Sequence, residues 1–558
     1  MHIITMAAVI LASLAVFGLV RLPRPNNLGG RLVEQACTVA SLPVLQWHGQ
    51  DSLSAVWTLT GNDCETFLPD VRWGLNASNS TASLFRRVRH GVRAFSATTG
   101  VARLGAGVQR MDLGQNILGF RSFAPTHMLG ASAGGQVLFC GLHRQRLLRT
   151  TPTTAGHFPG RSVLPDAHAP RWPIQFSSVC SQPMLGTASH IALGPLLVRP
   201  PPPPPPPSLA AGPSPGTHHH TEEQAHRVCV GIIGDTQSNA DMFSLLLHRM
   251  QHIEGWTAAG EQIAPRVACV QHRSVDLILH AGDSIQSGGA EEWVRLALRP
   301  RATQGSAHEA VPMLRVLGNH DSEGQEHYPG TRGVADRQGV VDLPRARFPA
   351  DAARFLLGKS AFTCAGHVTG ALRIVTVSSL ADHSECLEAV LRQPLPAGVV
   401  FSLLLTHVPP WVEYWEHKAW FTKGESAEAD ISRLKYLPLA QKYKVHLFVA
   451  GHSHVYQRSH LSGCQPVLAI VGGGGGALEA PPPGGQVQDT GLYAVTAFRH
   501  HGVLVEVQPA VGGGAARLLW SALSPDGVVL DAFQLENANE GGGEDASLEM
   551  YEGGINNS

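Results

Sequence analysis

Between residues 227 and 454, five short polar motifs each close an apolar run: Gly234-Asp235-Thr236-Gln237, Gly282-Asp283, Gly318-Asn319-His320-Asp321, Thr406-His407 and Gly451-His452-Ser453-His454. Together they supply carboxylates, an amide oxygen and several imidazoles, the donor set of a centre that holds two metal ions side by side. Two such ions ~4 Å apart repel unless an anion lies between them. Asp283 is the natural bridge, because a carboxylate can give one oxygen to each ion. A mixture of carboxylate, amide and imidazole suits iron, zinc or manganese better than calcium or magnesium. A water shared by such ions is acidic enough to be hydroxide at neutral pH and can attack a phosphorus in line with its leaving oxygen. Taken singly, each motif is more often structural; the ordered set is what stands above chance.

Side chains with this task need rigid placement, and the apolar runs provide it. Val228 to Ile233, Leu277 to Leu279, Leu314 to Leu317, Phe401 to Leu405 and Val445 to Val449 read as strands, each delivering one motif at its end. Met242 to His252 reads as a helix that Asn239 can cap, and Ala290 to Leu298 as a helix opening with paired glutamates. Alternating strands and helices imply a layered α/β domain with ligands presented from strand ends.

This motif order resembles the calcineurin-like metallophosphoesterases and, among them, the purple acid phosphatase-like branch. The resemblance covers residues 227–535 and includes the glycine-rich strand exit Ile470 to Ala477 and the closing phrase Pro525 to Asp531. It implies a four-layer α/β sandwich of two facing mixed β-sheets flanked by helices. It also implies a ligand set: Asp235, Asp283 and His454 around a first metal, and Asp283, Asn319, His407 and His452 around a second. His320 is then placed to touch a phosphate oxygen or protonate the leaving group. Tyr456 and Arg458 resemble a Tyr-x-Arg phrase of the purple acid group and are expected to support the site. Departures from the family bear on activity. Gln237 stands where many relatives have a histidine ligand, and Gln286 where purple acid phosphatases have the tyrosine that gives their colour. No purple charge-transfer band is therefore expected. The first metal is expected to be looser, exchangeable, or manganese or magnesium, with Gln237 or Gln286 as a neutral oxygen ligand or both as supporting donors.

The implied activity is hydrolysis of a phosphorylated substrate, foremost a phosphomonoester, with a metal-bridging hydroxide between two divalent or mixed-valence ions (iron, zinc or manganese, with magnesium possible). Phosphodiester or pyrophosphate cleavage on the same ions is the alternative. So is a protein that keeps the fold for binding and has lost turnover, which Gln237 and Gln286 favour and the intact remaining ligands oppose.

The rest of the 558 residues allows further domains. A formal charge of −1 gives no global field to draw in nucleic acid. Ile3 to Val20 is apolar on every face, and residues 1–24 are expected to direct the chain into the secretory pathway, as a signal peptide or as a membrane anchor. The acceptor triplets at Asn76 and Asn79 agree with a lumenal or extracellular course. Nine cysteines lack any CxxC pair, which excludes zinc-ribbon spacing and leaves one or two disulfides, Cys364–Cys386 among the candidates. Residues 38–125 hold short strands whose phrases Ala55-Val56-Trp57-Thr58 and Val71-Arg72-Trp73-Gly74 are similar to a fibronectin type III-like domain. Residues 126–226 read as loop-rich, ending in the stiff Pro200–Pro207 linker and a His218–His220 triplet. Residues 536–558 read as an acidic, disordered tail. The oligomeric state is left open.

Overall fold

The computed structural model describes residues 227–257, 267–286, 309–322, 359–411, 427–461, 466–480, 492–510 and 514–537, with Trp293, Leu357 and nine strands outside these ranges. Ahead of the linker lie β1 (Thr38–Trp47), β2 (Ser52–Thr60), β3 (Phe67–Asn76), β4 (Val101–Arg103), β5 (Val108–Gly114), β6 (Ile117–Pro125), β7 (Gln136–Arg146) and β8 (Ile191–Val198). After it come β9 (Val228–Ile233), β10 (Leu277–His280), β11 (Glu309–Ala310), β12 (Met313–Arg315), β13 (Cys364–Thr369), β14 (Leu372–Val377) and β15 (Phe401–Leu405). The series ends with β16 (Leu447–Ala450), β17 (Tyr456–Ser459), β18 (Val467–Val471), β19 (Tyr493–Ala497), β20 (Gly502–Gln508), β21 (Ala516–Leu523), β22 (Val529–Asn537) and β23 (Leu548–Glu552).

Two mixed sheets face each other. One runs β23-β22-β21-β20-β9-β10-β12-β1-β2-β6-β5-β4, the other β13-β14-β15-β16-β18-β17-β19. Their inner faces share a single core in which Val230, Ile232, Leu279 and Val505 meet Ile374, Leu403, Val449 and Ala469. Side chains alternate across a strand, so β9 and β10 turn Cys229, Ile233 and Ile278 outward. There they meet Phe243, Leu246 and Met250 of helix α1 (Ala240–Gln251). On the far side, Val375, Leu404 and Phe448 pack on Leu387 of α2 (Ser384–Leu391) and on Leu437 and Ala440 of α3 (Leu437–Lys442). Helix, sheet, sheet and helix are the expected four layers. Helix α1 starts two residues earlier than Met242, and Asn239 caps it by accepting from the Met242 N–H at 3.0 Å.

The strands expected ahead of the linker are present, but β1 is not confined to a domain of its own. It pairs in parallel with β12 at Gln46 and Met313, and its Leu45 and Trp47 enter the inter-sheet core. Two readings need correction. The 126–226 stretch carries β7 and β8, which pair with each other in a four-stranded sheet completed by β3 and β11. Their apolar runs are short and broken by Gly141, Gly194 and Pro195, so long-range pairing rather than local period defines them. The acidic tail likewise contributes β23, antiparallel to β22, because Leu548-Glu549-Met550 alternates as a strand does despite its charge. The disulfide Cys364–Cys386 forms as expected, and Cys229–Cys269 is a second that spacing alone did not single out. The N-terminal 1–24 segment, the Pro200–Pro207 run, the His218–His220 triplet, the Ala290–Leu298 helix apart from Trp293, and the aromatic residues from Tyr414 to Trp420 lie outside the described residues. Among the described residues no helix is long and apolar enough to cross a membrane.

Candidate metal centre

Each motif sits where a strand of either sheet ends and the chain turns sharply. Asp235, Asp283 and His452 take left-handed φ values of 56°, 53° and 73°, a conformation that bulky residues adopt only where surrounding contacts enforce it. Those contacts are backbone bonds between the turns themselves. Asp235 N donates to Gly282 O (3.0 Å), Thr236 N to Asp283 O (2.9 Å), and Gly451 N to His407 O (2.9 Å). The glycines let the turns close on one another: a Cβ on Gly318 would lie 2.0 Å from Asp283 Oδ1, and one on Gly451 2.4 Å from Asp235 Oδ2.

Within this frame the predicted residues converge. His407 Nε2 lies 2.9 Å from Asn319 Oδ1 and 3.4 Å from Asp283 Oδ2, and His452 Nδ1 lies 2.9 Å from the same Asn319 oxygen and 3.3 Å from His407 Nε2. His407 Nδ1 donates to the Ala281 carbonyl at 2.8 Å, so its Nε2 faces the oxygen acceptors, with a proton there when the ring is charged and a lone pair when it is neutral. Nitrogens of two imidazoles and oxygens of an amide and a carboxylate therefore face one small volume, where either a proton on His407 Nε2 or a metal cation can bridge them. Asp283, His407 and His452 hold their donor atoms within 4.8 Å of one another.

The second cluster is built on Asp235, which is fully buried. Its carboxylate accepts the His452 N–H at 2.9 and 2.8 Å, and its Oδ1 lies 3.7 Å from His454 Nε2. His454 Nδ1 donates to Ala477 O at 2.6 Å, which leaves Nε2 facing Gln237, whose Nε2 is 2.9 Å away. Gln237 Oε1 is buried without a hydrogen-bond partner. The Asp283–His407–His452 group could hold a metal ion, and the Asp235–His454–Gln237 group beside it leaves Gln237 Oε1 as a buried acceptor without a partner.

The electrostatics place a proton on His407 in competition with an ion. Burial pushes the Asp235 carboxyl well above its usual range, His407 pulls it back, and the nearby Asp283 carboxylate pushes it up again. Burial also works to lower His407, but Asp283 overrides it and lifts the imidazole to about 9. Burial lowers His452 to about 3, with His407 adding to the effect, so its ring stays neutral and able to donate a lone pair.

Around the centre, His320 donates its backbone N–H to Asp283 Oδ1 at 2.9 Å, and its ring Nδ1 bonds the Gln286 carbonyl at 2.7 Å. Gln286 turns its side chain to Ser238 (3.1 Å) and His320 (3.3 Å) rather than into either cluster. His280 packs at its strand end, bonded to Thr236 Oγ1 (3.1 Å) and the Gly282 N–H (3.2 Å). Sequence reasoning assigned no part to Asp321, although it closes the Gly-Asn-His-Asp motif. Buried, it accepts from Ser284 N (2.7 Å), Ile285 N (3.3 Å) and Gly318 N (2.9 Å), tying the Asp283 turn to the Asn319 turn. Its position in the motif was the available signal. Arg315, also missed, donates to Ser284 Oγ at 2.9 Å.

Fold and site together define a class: a two-sheet α/β sandwich that gathers carboxylate, amide and imidazole donors at strand ends. Residues 230–456 match the family model described as calcineurin-like phosphoesterase, and this segment belongs to that family. The chain is thus a metal-dependent phosphoesterase, a hydrolase. Among solved structures, the chain is similar to the purple acid phosphatase PPD1 isolated from yellow lupin (Lupinus luteus) seeds, with a TM-score of 0.51 and 15% identity over 88% of this chain and 73% of that one. This is a likeness of fold. GAP50, the anchor in the inner membrane complex of Plasmodium, matches with a TM-score of 0.35 and 12% identity over 55% of this chain and 87% of that one. No curated protein matches the sequence.

Proposed function

We propose that the chain hydrolyses phosphomonoesters at a dinuclear centre. Asp235, Gln237 and His454 would hold one ion, Asn319, His407 and His452 the other, and Asp283 both. The observation that carries this is the convergence of His407 Nε2, His452 Nδ1, Asn319 Oδ1 and Asp283 Oδ2 on one point. Bound there, iron, zinc, manganese or magnesium ions would supply positive charge for the phosphoryl oxygens and an acidified nucleophile.

The chain's own residues orient the reaction. The Gln286 carbonyl fixes a proton of His320 on Nδ1, which leaves Nε2 as the nitrogen that would meet a substrate. When the ring carries a second proton, on Nε2, His320 would hand that proton to the leaving oxygen and return to its Nδ1–H neutral form. Asp321 keeps the two ligand turns in register through its three backbone donors. The two disulfides support an oxidising compartment, in keeping with an N-terminal secretory segment. Glycosidase-sensitive mass on protein from a secretory host would test that course, and its absence would count against it.

The test of activity is hydrolysis of p-nitrophenyl phosphate by the full chain, stripped of metal and restored with iron, zinc, manganese or magnesium. Metal-dependent turnover that Asp283→Asn loses is the expected result. A folded, metal-loaded protein that cleaves bis-p-nitrophenyl phosphate but not the monoester would replace this reading with a diesterase.

A further inference from the structure

His407 is braced from behind as well as by the groups it faces. The next residue, Val408, is buried, and both of its backbone groups bond to side-chain hydroxyls. Its N–H donates to Ser379 Oγ at 3.0 Å, and its carbonyl accepts from Ser432 Oγ at 2.6 Å. Ser379 lies in the turn that leaves β14, and Tyr436 grips that turn. The Tyr436 hydroxyl donates towards the Ser378 and Ala381 carbonyls, each 2.9 Å away, and accepts the His383 N–H at 3.0 Å. Burial pushes the Tyr436 phenol well above its ordinary range, so the proton stays available for those carbonyls.

Both hydroxyls come from one π-helical turn, Ser432–Tyr436, set between the helix Ala427–Ile431 and α3. Its wide ring is closed by the Leu437 N–H on the Ser432 carbonyl. Pro438 gives the sequence reason. In a regular α-helix its ring would strike the Leu434 carbonyl, and a widened turn relieves that clash. The two residues that this turn buries are the two whose hydroxyls brace the end of β15. Resting on the metal-centre reading above, we propose that Ser432 and Tyr436 are positioning residues for His407. Acting through Val408 and through the 378–383 turn, they fix where the strand end sets the imidazole against Asn319 and Asp283. Without the Ser432 hydroxyl the buried Val408 carbonyl loses its partner, and the strand end shifts to find another.

The test is Ser432→Ala and Tyr436→Phe in the full chain, beside wild type; each loses a hydroxyl and little volume. Metal-stripped protein is loaded with Co2+, whose visible absorption reports ligand geometry, and kcat and KM are measured on p-nitrophenyl phosphate. A misplacement of ~1 Å can cost about 10²-fold, so both variants should lose at least about tenfold in kcat. KM should stay within about twofold of wild type, since orientation rather than binding is lost. The cobalt bands of both variants should shift or weaken. Melting temperatures separate this from a purely structural role: folded variants that melt lower but keep the wild-type bands and kcat would overturn the proposal. Cobalt bands without turnover in wild type would remove the phosphatase reading, and the bands of the two variants would still decide this one. No cobalt bands in wild type would remove both.

Discussion

At the scale of single residues, the centre depends on turns that tolerate no extra atoms. Gly318 is the tightest case, since any Cβ there falls on the Asp283 carboxylate. Gly318→Ala should therefore lower kcat on p-nitrophenyl phosphate at least as far as Asp283→Asn, with the melting temperature reporting whether the fold survives. His320 contributes differently. If it protonates the leaving oxygen, His320→Ala should cost about 10²–10⁴-fold in kcat. The loss should be larger with phenyl phosphate, whose leaving group needs the proton more, than with p-nitrophenyl phosphate; equal losses would assign His320 to phosphate binding. The candidate ligands were legible because each stands in a short motif at the end of an apolar run. The contacts of Gln286 with Ser238 and His320 were not. They join residues 34 to 48 positions apart, and only the folded turns bring them together.

At the scale of elements, the two sheets are tied by a buried polar cluster. Arg458 on β17 meets Asp531 on β22 through Nε at 2.7 Å and Nη2 at 3.1 Å; Tyr456 OH donates to the same carboxylate at 2.7 Å, and Trp520 Nε1 on β21 donates to Tyr456 OH at 3.0 Å. Tyr456 lies two residues after His454, so the tie also steadies the metal-binding turn. Arg458→Met would leave the buried Asp531 carboxylate without a countercharge, bonded still by the Tyr456 hydroxyl, a loss of about 3–5 kcal/mol, read from the urea midpoint. The double variant Arg458→Met, Asp531→Leu should be less destabilised than the single one; a larger loss would mean that the charges themselves stabilise the fold. The Tyr-x-Arg phrase pointed towards this support, but the Asp531 phrase is too common in sequences to identify its partner. The same limit hid β7 and β8, whose short broken runs take shape only against each other.

At the scale of the molecule, acid should loosen the structure. Burial lowers His501 and His367 to about 4. Unfolded imidazoles titrate near ~6.5, so the folded protein binds fewer protons below that pH. The stability these groups contribute is present above about 6.5 and is lost as pH falls toward about 4. The melting temperature should drop across that window, and the drop should be smaller in His501→Gln. A drop unchanged by that substitution would assign the effect to other groups. The fold class itself was readable from strand–helix alternation and motif order, whereas the reach of the sheet beyond the linker was not. The pairing of Gln46 with Met313, with Leu45 and Trp47 sunk into the shared core, joins strand β1 to the sheet that carries the metal-binding candidates. A chain cut at the polyproline run would bare the outer rim of β12, and unpaired rims recruit strands from other molecules. What is now an interior seam would become an adhesive surface, and light scattering should find such a truncated protein clumping where the full chain stays dispersed.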